Sequence, residues 1–92
     1  MDFKIESNRI YALDEKGELI AEITYPELDS EKVVINHTFV GPSLSGQGVA
    51  AKLTEMAYQE IKKQDKKAVL TCIYAVKWFD KHQEYQDILA EK

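Results

Sequence analysis

Val33-Val34-Ile35-Asn36-His37-Thr38-Phe39-Val40-Gly41-Pro42-Ser43-Leu44-Ser45-Gly46-Gln47-Gly48 is the run that decides the fold. Its first half is rich in β-branched residues and predicts a strand over residues 33–40. Side chains alternate along a strand, so Val33, Ile35, His37 and Phe39 share one face, and Val34, Asn36, Thr38 and Val40 share the other. Apolar residues on both faces mark a strand covered on both sides. Residues 41–48 are rich in glycine, contain a proline and predict a loop. From Val49 the hydrophobic period changes. Ala50, Leu53, Ala57 and Ile61, joined by Met56, recur every three or four residues and form one helical stripe. Residues 64–67 end that helix in a polar turn, and residues 68–73 read as a second buried strand. A helical crossover of this length favours a parallel strand pair with a right-handed connection.

Outward from this unit the pattern stays regular. Upstream, residues 3–6, 9–13 and 19–25 predict short strands. Ser7-Asn8 forms the first turn and Asp14-Glu15-Lys16-Gly17 the second, while Pro26 stops the third strand. Residues 27–32 are polar and predict a loop. Downstream, residues 75–82 predict a second helix with Ala75, Trp78 and Phe79 on its apolar side. Tyr85, Ile88 and Leu89 predict a short helical turn that packs back on the body. The fold class is α+β bordering on α/β: a mixed, mostly antiparallel sheet with one strand–helix–strand crossover and a C-terminal helix.

The 92 residues suffice for one domain with one modest core. A content of 45% hydrophobic and 30% charged residues is that of a globular chain, not a disordered one. The net charge of −4 repels phosphate backbones at long range and argues against nucleic-acid binding. A single cysteine excludes an intrachain disulfide, and one Cys with two His falls short of the usual structural zinc set. The N-terminus lacks the apolar core of a signal peptide, and no apolar run is long enough for a membrane span. The expected location is the cytoplasm. Asn36-His37-Thr38 matches a glycosylation sequon, read here as chance.

Topology places the candidate chemistry. The glycine-rich loop leaves the C-terminal end of the first strand of the parallel pair, and Cys72 lies at the C-terminal end of the second. Both belong to one rim, where open α/β sheets bind ligands. Gly46 and Gly48 permit a sharp turn and close ligand approach, and the following helix offers free N–H groups suited to phosphate. The same glycines also serve a plain strand-to-helix turn. The loop is neither a Walker A nor a Rossmann loop: no Gly-Lys-Ser/Thr follows, and Ala51 occupies the third glycine position. Cys72 reads either as a small core residue or as a reactive thiol. His37, between Ile35 and Phe39, reads as a buried histidine or a general base. Lys62, Lys63, Lys66 and Lys67 lie at the opposite rim and read as a solvated helix end.

His37-Thr38-Phe39-Val40, Gly46-Gln47-Gly48-Val49-Ala50, Cys72, Trp78-Phe79 and His82-Gln83-Glu84-Tyr85, in that order and spacing, resemble the small single-domain GNAT-like N-acetyltransferases. The resemblance covers nearly the whole chain, most specifically residues 37–85. It implies one minimal GNAT-like domain over residues 1–92, a GNAT fold cut down to its cofactor-binding half, with acetyl-CoA as cofactor. In GNAT folds the backbone amides of a Gln/Arg-x-x-Gly-x-Gly/Ala loop hold the pyrophosphate. Here the positions are Ser45, Gly46, Gln47, Gly48, Val49 and Ala50. Gly48 and Ala50 fit, whereas Ser45 lacks the amide or cationic side chain of the family. Lys52, one turn into the helix, can reach back to the phosphates. The pantetheine arm would lie between the splayed strands 33–40 and 68–73.

The resemblance also puts a cysteine near the thioester, at Cys72. Either its thiolate takes the acetyl group, or it lines the pocket while an amine attacks directly. Direct attack needs a neutral amine, for which His37 is the candidate base; Tyr74 is the candidate to protonate the leaving thiolate. The expected partners are acetyl-CoA and an unidentified amine on a small molecule, peptide or protein, with no nucleic acid and no membrane. The alternative is a CoA or acyl-CoA binding module with little turnover, which Ser45 and the helices missing relative to a full GNAT domain favour. A third is a phosphate-binding interaction domain that never meets CoA.

Overall fold

The computed structural model describes residues 2–90. Three short strands open the chain: β1 (Lys4–Glu6), β2 (Arg9–Leu13) and β3 (Leu19–Thr24). They form an antiparallel meander, turning at Ser7-Asn8 and at Asp14–Gly17 as the sequence predicts. In the second turn Gly17 takes a φ of +81°, and the Asp14 carboxylate accepts from the N–H groups of Lys16 and Glu18.

The predicted strand over residues 33–40 is two strands, and this corrects the sequence reading. β4 (Lys32–Ile35) pairs in parallel with β6 (Lys67–Leu70), from Lys32 opposite Lys67 to Ile35 opposite Leu70. β5 (His37–Val40) pairs antiparallel with β3, Thr24 opposite His37 and Ala21 opposite Val40. The sheet order is therefore β1-β2-β3-β5 in one sheet and β4-β6 in the other. The break falls at Asn36. Its N–H bonds the Thr24 carbonyl at 3.3 Å, and its Oδ1 accepts from the Thr24 hydroxyl at 2.6 Å. One residue is taken out of the alternation, and every following side chain changes face. Val33 and Ile35 are buried, but His37 and Phe39 are exposed. The buried histidine expected at position 37 is not there.

β6 is also shorter than the predicted strand. It stops at Leu70 because the N–H groups of Thr71 and Cys72 both turn onto the Ile35 carbonyl, each at 3.1 Å. Cys72 thus caps helix α2 (Ile73–Lys81), which begins ahead of the predicted start at Ala75.

Helix α1 (Val49–Lys63) spans the crossover. Its buried stripe is Val49, Leu53, Thr54, Ala57, Tyr58 and Ile61, rotated slightly from the predicted one so that Ala50 and Met56 sit at its margin. Thr54 spends its hydroxyl on the Ala50 carbonyl, as a buried helical threonine does. This stripe packs on the sheet face carrying Ile10, Ala12, Ala21 and Ile23; Trp78 and Phe79 of α2 and Ile88 close the core.

A 3-10 segment (Gln83–Ile88) follows α2. Tyr58 Oη donates to Asp87, Lys62 pairs with Asp87 at 2.9 Å, and Lys67 Nζ donates to the Asp87 carbonyl. Lys66 pairs with Glu27 at 2.7 Å, its side chain only 17% exposed. The lysines at this end tie the tail and the loop to the body, and are more than a solvated helix end. Among the described residues no helix is long and apolar enough to cross a membrane.

Candidate active site: the wedge between β5 and β6

The split at Asn36 builds the site. β4 and β6 run side by side up to Ile35; β5 then leaves to join β3. Beyond Ile35 the parallel pairing ends: β5 belongs to the sheet of β3, while the chain after β6 turns into α2, which leaves β5 and β6 unpaired with each other. Two groups meet across the gap: Cys72 Sγ lies 3.5 Å from Thr38 Oγ1. Thr38 reaches the thiol because the slip turns it, and not His37, to the α1 side of the sheet.

Burial pushes the Cys72 thiol up, but the Thr38 hydroxyl and the backbone N–H groups of Ala75, Tyr74 and Thr38 act the other way and together outweigh it. The thiol sits below its ordinary value. Two of those N–H groups are in the first turn of α2, an arrangement that favours a thiolate. Tyr74 is affected in the opposite sense: burial first, then the neighbouring Cys72, push its phenol up, so at neutral pH it keeps its proton.

At the other end of β5 the loop passes through a 3-10 turn (Pro42–Leu44) into α1. Gly46 and Gly48 have φ of +78° and +73°, a region that side-chain-bearing residues avoid. Gly48 is the N-cap of α1 and no side chain caps the helix, so its first-turn N–H groups are left for an outside acceptor. A Cβ built on Gly46 or Gly48 meets no atom within 4 Å, so these positions face open space. A cleft of about 340 Å³ lies there, lined by Val40, Gly41, Ser45, Gly46, Gly48, Val49, Ala50 and Tyr74 among others. Gln47 folds back to donate to the Ser43 carbonyl and braces the loop. A second cleft of about 320 Å³ shares Gly48 and Ala51 with the first and is lined by Lys52, Glu55, Trp78, His82 and Tyr85. A larger, more apolar hollow of about 470 Å³ lies elsewhere, along Ala68–Leu70, Val76 and Leu89. It contains none of the loop; its polar side chains are Asp80, an anion, and Gln86, whose amide donates to the Phe79 carbonyl.

The predicted residues therefore separate into groups. Ser45, Gly46, Gly48, Val49, Ala50 and Tyr74 line one cleft, Lys52 the adjoining one, and Cys72 the wedge beside Tyr74. His37 is on the other face of the sheet from Cys72. Its Nε2 lies 3.4 Å from Glu22 Oε1, with its side chain half exposed. Sequence reasoning missed Thr38, Glu22 and Arg9. Only the cross-strand register could have revealed them, because each acts on a partner in another strand.

Comparison with known proteins concerns the fold of nearly the whole chain. A model of the GCN5-related N-acetyl-transferase family matches residues 9–88. The NMR solution structure of a GCN5-like candidate N-acetyltransferase from Staphylococcus aureus aligns with a TM-score of 0.81 at 31% identity, covering 99% of this chain and 89% of that one. Two crystal structures share the fold at lower identity. One, from Mycobacterium tuberculosis, is in complex with CoA (TM-score 0.66, 16% identity, 83% of this chain and 47% of that one). The other is a GNAT family acetyltransferase from Elizabethkingia anophelis with acetyl-CoA bound (TM-score 0.61, 20% identity, 84% and 51%). This chain thus spans about half the length of either. No protein of curated function matches the sequence.

Proposed function

This chain belongs to the GCN5-related N-acetyltransferase family, and from that premise we propose that residues 1–92 form one domain that transfers the acetyl group of acetyl-CoA to an amine. The observation that carries the proposal is the wedge. A strand that changes partner at Asn36 leaves a gap beside β6: Cys72 meets Thr38 across it, and Tyr74 lines the cleft at the uncapped N-terminus of α1. Such a gap suits a long thin ligand with an anionic end and a thioester end. The Gly46–Gly48 backbone and the first turn of α1 take the pyrophosphate. Lys52 stands beside it, and the pantetheine arm runs along β5 toward Cys72 and Tyr74.

In direct transfer the amine nitrogen attacks the thioester carbonyl carbon, the C–S bond breaks and the CoA thiolate leaves. The amine proton passes to a base, and Tyr74, still protonated, supplies a proton to the departing sulfur. His37, on the outer sheet face at the start of β5, serves as the base for an acceptor arriving from that side. A second reading gives Cys72 a covalent role, in which its thiolate takes the acetyl group first and the amine then takes it from the cysteine. The lowered thiol favours it.

Calorimetric titration with CoA, followed by intact-mass measurement after exposure to acetyl-CoA, tests the proposal. The expected result is stoichiometric CoA binding and CoA release when primary amines are added. Absence of CoA binding overturns the assignment, and binding without release reduces the protein to a CoA-binding module. Cys72→Ser distinguishes the two routes. The covalent route predicts a severe loss of transfer with CoA binding retained; the direct route predicts a mild loss.

A further inference from the structure

α1 covers one face of the four-stranded sheet, and the other face carries an ordered row of charge across three adjacent strands. Arg9 on β2 and His37 on β5 both reach Glu22 on β3, the strand between them. In the register Arg9 and His37 both lie opposite Thr24, so each meets Glu22 diagonally from its own side. Arg9 Nε bonds Glu22 Oε2, and its guanidinium lies 3.8 Å over the Tyr11 ring. Glu22 Oε1 faces His37 Nε2. Although this face is open, the Glu22 side chain is only 14% exposed, because its two neighbours cover it. Arg9 is held again by Glu6 at 3.6 Å.

We infer that Glu22, anchored by Arg9, is a positioning residue for His37 in acetyl transfer. This rests on reading His37 as the base. A neutral imidazole carries one proton, and which nitrogen holds it is set by the partner of the other. A carboxylate facing Nε2 draws the proton there. Nδ1 is then the nitrogen with the free lone pair, and it takes the proton that the acceptor ammonium or amine gives up. The imidazolium so formed keeps its Nε2–H toward Glu22, which offsets the new charge, and it returns the Nδ1 proton to solvent after turnover. Arg9 holds the second carboxylate oxygen and so restrains Glu22 from rotating away from His37. His37 opens β5, one residue before Thr38, and lies on the opposite face from the thiol that Thr38 touches. An acceptor on the outer face would meet the base there and the thioester through the gap between β5 and β6.

The test combines a measurement that needs no acceptor with one that does. Imidazole ¹⁵N chemical shifts, taken at a pH where the ring is neutral, show which nitrogen of His37 is protonated. The wild type is expected to show the Nε2–H form alone, Glu22→Ala a mixture of both forms, and Glu22→Gln, which keeps an acceptor oxygen, an intermediate state. CoA release from acetyl-CoA with benzylamine as probe acceptor is expected to fall about 10-fold in kcat for Glu22→Ala, a fraction of the gain from a positioned base, with KM for acetyl-CoA unchanged. An unchanged tautomer in Glu22→Ala overturns the inference about Glu22. Wild-type rates in His37→Gln overturn the base reading instead, whatever Glu22 does.

Discussion

Val33–Ile35 and His37–Val40 are separated only by Asn36 and are opposite in use. The first segment is closed in on both sides: β6 pairs along it, and Val33 and Ile35 are fully buried. The second is a half-exposed strand whose inner side chain touches a thiol and whose outer side chain joins a charged row. One residue held out of phase by Thr24 separates them. A strand that continued straight would have sent His37 and Phe39 into the core and Thr38 away from Cys72. The slip thus sets a structural strand and a site strand end to end, and turns Thr38 inward and His37 outward.

The contrast is sharpest in stability. Ile35→Ala removes a fully buried side chain beside β6 and should destabilise by about 3 kcal/mol, within the range for cavity-forming substitutions. Phe39 is the larger side chain, but it is 37% exposed on the outer face, and Phe39→Ala should cost about 1 kcal/mol or less. Urea denaturation of both variants measures the difference. Equal losses would mean that the two segments share one environment and that the slip at Asn36 is not present.

The sequence shows one of these two segments far better than the other. β4, the α1 stripe and the glycine loop follow from local pattern: β-branched alternation, a 3.6 period and residues tolerant of positive φ. The slip does not, because Val-Val-Ile-Asn-His-Thr-Phe-Val fits either phase of alternation equally well. What selects the phase is Thr24, distant in sequence, through its carbonyl and hydroxyl. The early end of β6 is hidden for the same reason, since two N–H groups converge on the Ile35 carbonyl from across the pair. Of the site, the loop residues were readable as a turn with open backbone. Of the Arg9–Glu22–His37 row only His37 was readable as a candidate, since Arg9 and Glu22 look like ordinary strand residues until the register is known.

At the loop the comparison concerns ligand binding. Gly48→Val should weaken CoA binding by at least about 10-fold, because a β-branched residue at φ +73° costs on the order of 1–2 kcal/mol and pushes bulk into the cleft. Folding should survive, since no protein atom lies where the Cβ would go. Calorimetry on the folded variant decides, and unchanged affinity removes the loop from the site. A smaller effect distinguishes the two ends of α1. Lys52→Ala deletes a cation beside the loop and should weaken CoA by about 3-fold, in line with one solvent-screened charge contact. Lys66→Ala acts at the far end, where its partner is Glu27, and should leave CoA affinity as it is. The reverse ranking would put the cofactor at the wrong rim.

The smallest effect lies at the contact of Thr38, in the second segment, with Cys72 across the wedge. Burial raises the Cys72 thiol, and Thr38 with the backbone N–H groups of Ala75, Tyr74 and Thr38 lowers it further than burial raises it. A thiol depressed on folding contributes stability that is fully present above its unfolded value and is lost as pH falls through its folded value. Relative to Cys72→Ser, the wild type should therefore gain stability as pH rises through the folded value toward the ordinary thiol value of 9.0. Alkylation by a small reagent follows the thiolate, so its rate should rise with a midpoint below 9.0, and saturating CoA should slow it. Thr38→Val keeps the β-branched shape and removes the hydroxyl, the largest of the lowering contacts, so its midpoint should move up toward 9.0. A midpoint that Thr38→Val leaves in place would mean that the α2 backbone alone sets the thiol. Cys72 would then belong to β6 and α2 without reference to β5.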